Sequence, residues 1–164
     1  MSLVHDWAQA LDTSALGVGV AESIYAFPLI EAAHLLGLAL SVGLLILIDL
    51  RLLGLTLRQV AVTDVLRQLR PWVLTGFAIT FISGFLLFSA DASHLVHNPA
   101  FLAKLVFIAL ASVNALVFES RVAPKAEEWA NALRLPTAAR NAGLASIGLW
   151  GLVVLTGRLI PYVG

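Results

Sequence analysis

Four long apolar segments constrain this chain more than any other feature of its sequence. A helix needs about 20 apolar residues to cross the hydrocarbon core of a bilayer, and four stretches reach that length, at about residues 24–53, 71–89, 101–118 and 142–160. Transmembrane strands are shorter and alternate in polarity, whereas a helix satisfies its own backbone polar groups in lipid. The sequence therefore predicts an all-α fold, an integral membrane four-helix bundle in a single domain over residues 1–164.

The composition excludes several classes of protein. Hydrophobic residues make up 60% of the chain and charged residues 12%, about half the charged fraction of a soluble domain, so a soluble monomer is excluded. The formal net charge of +0 argues against nucleic acid as a partner, because nucleic-acid binders display basic patches. The chain has no cysteine, which excludes disulfides, thiolate metal sites and cysteine nucleophiles.

The segment before the first apolar stretch, residues 1–19, does not have the pattern of a signal peptide. It lacks a basic start and a long apolar core, and it carries Asp6 and Asp12. Apolar residues recur in it at helical spacing: Leu3, Val4, Trp7, Ala10 and Leu11. This pattern predicts a short amphipathic helix lying on the membrane surface, with a frayed terminus as the alternative.

Prolines and small residues refine the helices. Pro71 suits the first turn of the second membrane helix, Asn98-Pro99 a cap and first turn for the third, Pro136-Thr137 the same for the fourth, and Pro161 an end to the fourth. Small residues form stripes that let helices approach closely: Ala33, Gly37 and Ser41; Gly76, Thr80 and Gly84; Ser146, Gly148 and Gly151. These stripes favour a compact bundle.

The basic residues predict an orientation. Eight of the ten lysines and arginines follow the first or third apolar segment: Arg51, Arg58, Arg67, Arg70, Arg121, Lys125, Arg134 and Arg140. The other two, Lys104 and Arg158, lie at the opposite ends of their helices. Because cytoplasmic loops carry an excess of basic residues, both termini are predicted to lie outside the cytoplasm, on the periplasmic or extracellular face of a bacterial inner membrane.

Ionisable residues inside the apolar segments are candidates for function, because each costs a few kcal/mol in a bilayer. They are Glu31, His34, Asp49, Arg51, Lys104, Glu119 and Arg158, joined by the polar Asn114. Glu31 and His34 are three residues apart and share a helix face. This Glu-x-x-His spacing occurs twice in di-metal bundles, but only once here. Alternatively, Glu31 pairs with Arg158 or Lys104, and His34 forms a hydrogen bond within the bundle.

A second candidate cluster follows the second apolar segment. Asp91, His94 and His97 recur every three residues, so a helix would place them roughly along one face. A carboxylate and two imidazoles are suitable ligands for zinc or copper. His34 is also a candidate metal ligand, and if the first helix enters the membrane near Pro28, His34 lies only about 8 Å deep, where His94 can approach it.

Several segments resemble a known group of proteins. They are HLLGLALSVGLLILIDLRLLG, PWVLTGFAITFISGFLLF, NPAFLAKLVFIALASVNALVF and GLWGLVVLTGRLIPY. Together they resemble an uncharacterised family of four-helix bacterial inner-membrane proteins, over most of the chain from about Tyr25 onward. This resemblance implies a fold and a location but no activity.

The order of residues along the helices is also similar to two more distant families. A histidine in the first helix, an Arg-Pro start to the second and a Lys-Leu near the start of the third resemble the membrane-bound protoporphyrinogen oxidase family and the copper-resistance protein D family. In the oxidase family the histidine and the lysine are essential and the protein binds haem b, which implies such roles for His34 and Lys104. That family also has a third-helix histidine, where this chain has Asn114 or Ala115.

Three functions remain open on these grounds. The first is a redox or electron-transfer protein binding haem b, with His34 and His94 (or His97) as axial ligands, Glu31 beside His34, and Lys104 and Arg158 on the propionates. The second is a copper or zinc protein using Asp91, His94 and His97. The third is a non-catalytic subunit or assembly factor. The predicted partners are the lipid bilayer and either a redox partner or a second copy of the chain.

Overall fold

The protein is described by a computed structural model that covers residues 3–130, 132 and 134–163. In these residues the chain forms helices and turns without a strand. Helices long and apolar enough to cross a membrane span Ala26–Leu52, Val62–Ser89, Pro99–Trp129 and Thr137–Tyr162. The predicted all-α four-helix bundle, with four helices that could cross a membrane, is confirmed.

The α-helices are numbered here in chain order: α1 Leu3–Asp12, α2 Ala15–Ala21, α3 Ala26–Leu52, α4 Val62–Ser89, α5 Ala92–Leu95, α6 Pro99–Val117, α7 Ala126–Trp129 and α8 Thr137–Leu159. A π-helical turn, Phe118–Val122, and a 3-10 turn, Ala123–Lys125, join α6 to α7, and a second 3-10 turn, Ile160–Tyr162, follows α8. The basic end of the bundle is the end where α3 finishes at Leu52 and α4 begins at Val62. The connection from α6 to α8 lies at the same end. The opposite end is called the α5 end.

The N-terminal segment is helical, as predicted, but it forms two helices instead of one. The break lies at Ser14, whose hydroxyl oxygen accepts a hydrogen bond from the Gly17 backbone N–H at 3.1 Å and so caps α2. Gly17 allows α2 to approach α4 closely, because a Cβ at this position would lie 2.5 Å from the Ser89 carbonyl oxygen. Trp7 of α1 stacks on Phe88 of α4 with 6.1 Å between ring centroids. Both short helices are therefore anchored to the α5 end.

Asp12 links the N-terminal helices to α5. Its two carboxylate oxygens accept hydrogen bonds from the backbone N–H groups of Ala92 at 2.5 Å and Ser93 at 3.0 Å. Burial raises the pKa of Asp12, but the hydrogen bonds from Ser93 and Ala92 favour the ionised form more strongly and leave its pKa below the ordinary value. Asp12 therefore acts as an N-cap for α5 supplied from a distant part of the chain.

Three of the four predicted helix boundaries lie where expected, although α8 has no side-chain cap at Pro136-Thr137. Asn98 caps α6, since its side-chain oxygen accepts hydrogen bonds from the Ala100 and Phe101 N–H groups at 3.0 and 3.1 Å. Its amide nitrogen also donates to the Ile160 carbonyl at 3.0 Å, which ties α6 to the end of α8. Helix α8 begins directly after Pro136 and gives way to a 3-10 turn at Pro161.

The predicted role of Pro71 is wrong. Helix α4 begins at Val62, nine residues before the predicted start at residue 71, and Pro71 lies inside it. The extra turns are held by tertiary contacts: Val62, Val65 and Leu66 are buried in one cluster with Leu135 and Ala139. This burial outweighs the one backbone hydrogen bond that a proline inside a helix removes.

The small-residue stripes of α3 and α4 meet each other in the structure. A Cβ at Gly76 would lie 2.7 Å from the Ser41 backbone nitrogen, and one at Gly37 would lie 2.8 Å from the Thr80 hydroxyl oxygen. The two backbones therefore touch, as small residues allow in membrane bundles. The stripe on α8 behaves differently, because a Cβ at Gly148 or Gly151 would meet nothing within 4 Å.

The four long helices form an open arrangement. Helix α3 packs on α4 and on α8, and α8 packs on α6, whereas α4 and α6 do not pack along their lengths. Two side-chain contacts link α4 to the α6 segment. At the α5 end, the rings of Phe88 and Phe101 stack with centroids 5.4 Å apart and planes 6° apart. At the basic end, Arg70 and Glu119 form an ion pair at 2.9 Å. Between these two contacts the bundle is open at its side.

Candidate functional site

His34 lies against α4 in the half of the bundle towards the α5 end. Its Nδ1 lies 2.9 Å from the Thr80 carbonyl oxygen and 3.2 Å from the Ser83 hydroxyl. A Cβ at Gly84 would lie 3.0 Å from the His34 ring, so the imidazole fills the space that this glycine leaves. The bond to a carbonyl oxygen requires a proton on Nδ1, which leaves Nε2 with a lone pair.

Two of the other predicted haem-site residues lie within electrostatic reach of His34. Glu31 and Lys104 both lie near the imidazole, and the Lys104 ammonium group lies 3.5 Å from the position of a Cβ at Gly157. Arg158 points elsewhere: it donates a hydrogen bond to the Tyr162 hydroxyl at 3.1 Å and lies over that ring. Among the described residues the ion pairs are 64–67, 70–119 and 91–94, so the predicted pair between Glu31 and Arg158 is not formed.

Asp91, His94 and His97 do not converge on one point. His94 Nδ1 lies 3.4 Å from the Asp91 carboxylate, whereas His97 Nδ1 contacts the Ser93 carbonyl oxygen at 3.0 Å and its ring lies beside His5, with 5.7 Å between centroids. Within residues 3–130, 132 and 134–163 no group of three or more histidine or carboxylate side chains could hold a metal ion. The predicted three-residue metal site is not assembled.

His94 also does not approach His34 along the bundle. His34 contacts α4 at Thr80 and Ser83, and α4 continues from Ser83 to Ser89 before α5 begins. Six residues of helix cover about 9 Å. The expected pairing of these two histidines as axial ligands on one chain therefore has no geometric support.

The side opening between α4 and α6 leads into a cavity of about 590 Å³, called the lateral cavity here. It lies in the half of the bundle towards the basic end, and all four long helices contribute to its wall. Most of the wall is apolar or aromatic, and its polar members are Asp49, Arg70, Ser112, Asn114, Glu119 and Ser146. Rim residues Leu74 and Leu116 expose 62% and 67% of their surface, so the cavity opens towards the lipid.

Asp49 is the carboxylate inside this cavity. It is 3% exposed, and its Oδ2 has no hydrogen-bond partner among the described residues. The Ser146 hydroxyl lies beside the carboxyl group. Helix α8 comes this close because a Cβ at Gly143 would lie only 3.2 Å from the Asp49 carbonyl oxygen. A buried polar atom without a partner is rare and calls for an explanation.

Arg70 and Glu119 close the cavity at the basic end. Their ion pair joins α4 to the π-helical turn after α6, and both residues also line a second cavity of about 520 Å³ at the surface of the basic end. π-helical turns are rare and frequently occur at functional sites. The ion pair therefore stands between a lipid-facing cavity and a surface cavity.

Asp49 was among the ionisable residues recognised in the apolar segments, but the sequence pattern drew attention to His34 instead. Nothing in the spacing of Asp49 distinguishes it from Arg51 two residues later. Arg51, also 3% exposed, donates hydrogen bonds to the carbonyl oxygens of Val60 at 3.0 Å and Ala130 at 3.5 Å. The difference between the two residues depends on contacts with other segments, which one sequence does not reveal.

The comparisons with known proteins agree with the expectation of an uncharacterised family. A search of curated proteins and a search of solved structures each found no match. The model of one family matches nearly the whole chain, residues 4–163. The chain therefore belongs to the family of unknown function DUF6644.

Proposed function

We propose that this protein is a membrane-embedded ligand-binding protein that takes a lipophilic molecule from the bilayer into the lateral cavity. The observation that carries the proposal is the combination of a cavity of about 590 Å³ with an opening between α4 and α6 that faces lipid. Its volume falls in the range of about 300–1,000 Å³ typical of small-molecule sites.

The wall of the cavity suits a molecule with an apolar body and one polar group. Apolar and aromatic side chains cover most of it, and its polar residues include one from each of three helices: Asp49, Asn114 and Ser146. Such a distribution is typical of ligand pockets, where a few polar groups orient a mainly apolar ligand. A carboxyl group can accept or donate a hydrogen bond, according to its protonation.

Occupancy is tested with a fluorescent neutral lipophile, N-phenyl-1-naphthylamine, added to the protein in lipid nanodiscs. Ala115→Trp places a large ring in the cavity wall and is expected to abolish saturable binding. Ala109→Trp is the matched control, because Ala109 is exposed on the same helix and does not line the cavity. Saturable binding that survives Ala115→Trp would show that the probe binds elsewhere.

We also propose the orientation and location that the basic residues favour, with the basic end in the cytoplasm of a bacterium and both termini on the outer face of its inner membrane. Eight of ten lysines and arginines support it. A periplasm-active reporter fused after Gly164 is expected to be active. Activity of a cytoplasm-specific reporter at the same position would reverse the orientation.

Haem b binding with a redox role is a second candidate, favoured by one observation. The Nδ1 contact of His34 with the Thr80 carbonyl oxygen holds the ring and leaves Nε2 for a metal, as is usual for metal-ligating histidines. Lys104 nearby is the residue suited to a propionate. The described residues bring no second imidazole to His34, so the described part of this chain does not supply a second axial histidine.

The visible spectrum of protein purified with ample haem tests this second candidate. A Soret band that is lost in His34→Ala, while the variant still inserts and purifies, is the expected result. A colourless wild-type protein, or an unchanged spectrum in His34→Ala, would remove haem from this site. Elemental analysis of the same preparation tests the copper or zinc alternative.

A further inference from the structure

We propose that the lateral cavity is selective for lipophilic organic cations and that Asp49 is the counter-ion that binds them. This inference names the ligand class for the proposed function and rests on it. Three observations carry it: a buried carboxyl group without a cationic partner, an excess of acidic over basic residues on the cavity wall, and aromatic rings that line the same cavity.

Asp49 lacks the partners that buried carboxylates need. Its neighbour Arg51 is directed to the carbonyl oxygens of Val60 and Ala130, and Arg70 is paired with Glu119 at 2.9 Å. In the part of the chain that the structure describes, no ion pair reaches Asp49. Burying an unpaired carboxylate is costly, and a cationic ligand in the cavity supplies the missing charge.

Acidic groups outnumber basic groups on the cavity wall. Asp49 and Glu119 contribute two carboxyl groups, and Arg70 contributes one guanidinium group. Arg70 is paired with Glu119, although its Nε has no partner among the described residues. A cationic ligand favours the ionised form of Asp49 and supplies its counter-ion, whereas an anionic ligand would share the single guanidinium group with Glu119 and approach Asp49 without compensation.

Three aromatic rings line the lateral cavity together with Asp49. The rings of Phe77 and Trp150 are 4.6 Å apart, and those of Phe77 and Phe81 are 6.1 Å apart. Ser146 lies beside the Asp49 carboxyl group. Trp150 is four residues after Ser146, which corresponds to about 6 Å along the axis of α8.

This combination of groups recognises a particular chemistry. Aromatic faces attract cations and are the common means of binding quaternary ammonium groups, with tryptophan the most effective ring. A buried carboxylate in the same cavity adds a full charge, and charge interactions are stronger at buried sites than in water. The ligand class is therefore a bulky cation with an apolar body, such as a quaternary ammonium or phosphonium ion.

The test compares two ions of the same shape and opposite charge. Tetraphenylphosphonium and tetraphenylborate are titrated separately into the protein in nanodiscs of zwitterionic lipid. Wild-type protein is expected to bind the cation at least about tenfold more tightly than the anion. Asp49→Asn is expected to lose this preference and Asp49→Glu to keep it. Asp64→Asn is the matched control, since it removes a carboxylate that does not line the cavity.

The outcomes separate this inference from the proposed function. Equal binding of both ions, or unchanged cation binding by Asp49→Asn, would overturn the selectivity while N-phenyl-1-naphthylamine still fills the cavity. Failure of all three probes to bind would overturn both proposals. If Asp49→Asn does not purify as folded protein, the wild type is modified with dicyclohexylcarbodiimide. Tetraphenylphosphonium is then expected to protect Asp49, and lack of protection would contradict the inference.

Discussion

The two halves of the bundle differ in how their ionisable residues are bonded. Towards the α5 end, His34 is held by Thr80 and Ser83, on an interface where α3 and α4 touch through their backbones. Towards the basic end, α4 and α6 are apart, and Asp49 lies in a cavity with one oxygen unpartnered. Helix separation therefore decides whether an intramembrane polar group serves packing or is available to a ligand.

This contrast has a physical cause in residue size. Gly37 and Gly76 remove the side chains that would keep α3 from α4, and close backbones leave no room for a ligand. Large side chains such as Phe77, Phe118 and Trp150 line the other half. A wall of large side chains between separated helices leaves a space that lipid or a ligand fills.

The largest effect on stability is expected from adding a side chain where α3 and α4 touch. Gly76→Ala places a Cβ 2.7 Å from the Ser41 backbone nitrogen, and the free energy of unfolding is expected to fall by about 2–3 kcal/mol. Gly148→Ala is the matched control, because its Cβ meets nothing within 4 Å. Thermal unfolding in detergent measures both variants. Equal stability of the two would mean that α3 and α4 are not in backbone contact.

His34→Ala is expected to lower the free energy of unfolding by about 1–2 kcal/mol. The substitution removes the contacts to Thr80 and Ser83 and leaves a void beside Gly84. His34→Phe keeps most of the volume and so separates the loss of packing from the loss of the hydrogen bond. Unfolding in detergent is the measurement. An unchanged stability of His34→Ala would place His34 outside the packed interface.

Asp49→Asn is expected to raise the free energy of unfolding by about 1 kcal/mol, in the opposite direction to His34→Ala. It replaces a buried carboxyl group, one oxygen of which has no partner, with an amide that cannot ionise. The same unfolding assay, without ligand, compares it with Asp64→Asn at the surface. A loss of stability as large as that of His34→Ala would show that Asp49 serves packing, and the contrast between the halves would fail.

The smallest effect concerns Asp12, a carboxylate with both oxygens satisfied. Asp12→Asn is expected to lower the free energy of unfolding by about 0.5–1 kcal/mol at neutral pH. Because its folded pKa is below the ordinary 3.8, this contribution is present above that value and is lost as the pH falls through the lower folded pKa. The difference in stability between wild type and Asp12→Asn is therefore expected to shrink in acid. A constant difference from pH 7 to pH 3 would contradict the role of the carboxylate.

Local patterns in the sequence predicted local features well. The Asn98-Pro99 cap, the start of α8 after Pro136 and the close contact through Gly37 and Gly76 follow from groups near one another in the chain or from helical periodicity. The early start of α4 could not be predicted in this way, because it depends on burial against residues 135 and 139. Pro71 was therefore misinterpreted as a boundary.

By itself, the sequence determined that the chain forms four membrane-spanning helices, because helix length and apolar composition are set residue by residue and lipid permits few other structures. It also identified which polar residues lie within those helices. Only the tertiary structure decided which of them are enclosed by neighbours and which face a cavity. The distance between α4 and α6 depends on contacts between residues far apart in the chain, such as Arg70 and Glu119. No local sequence pattern encodes such a distance.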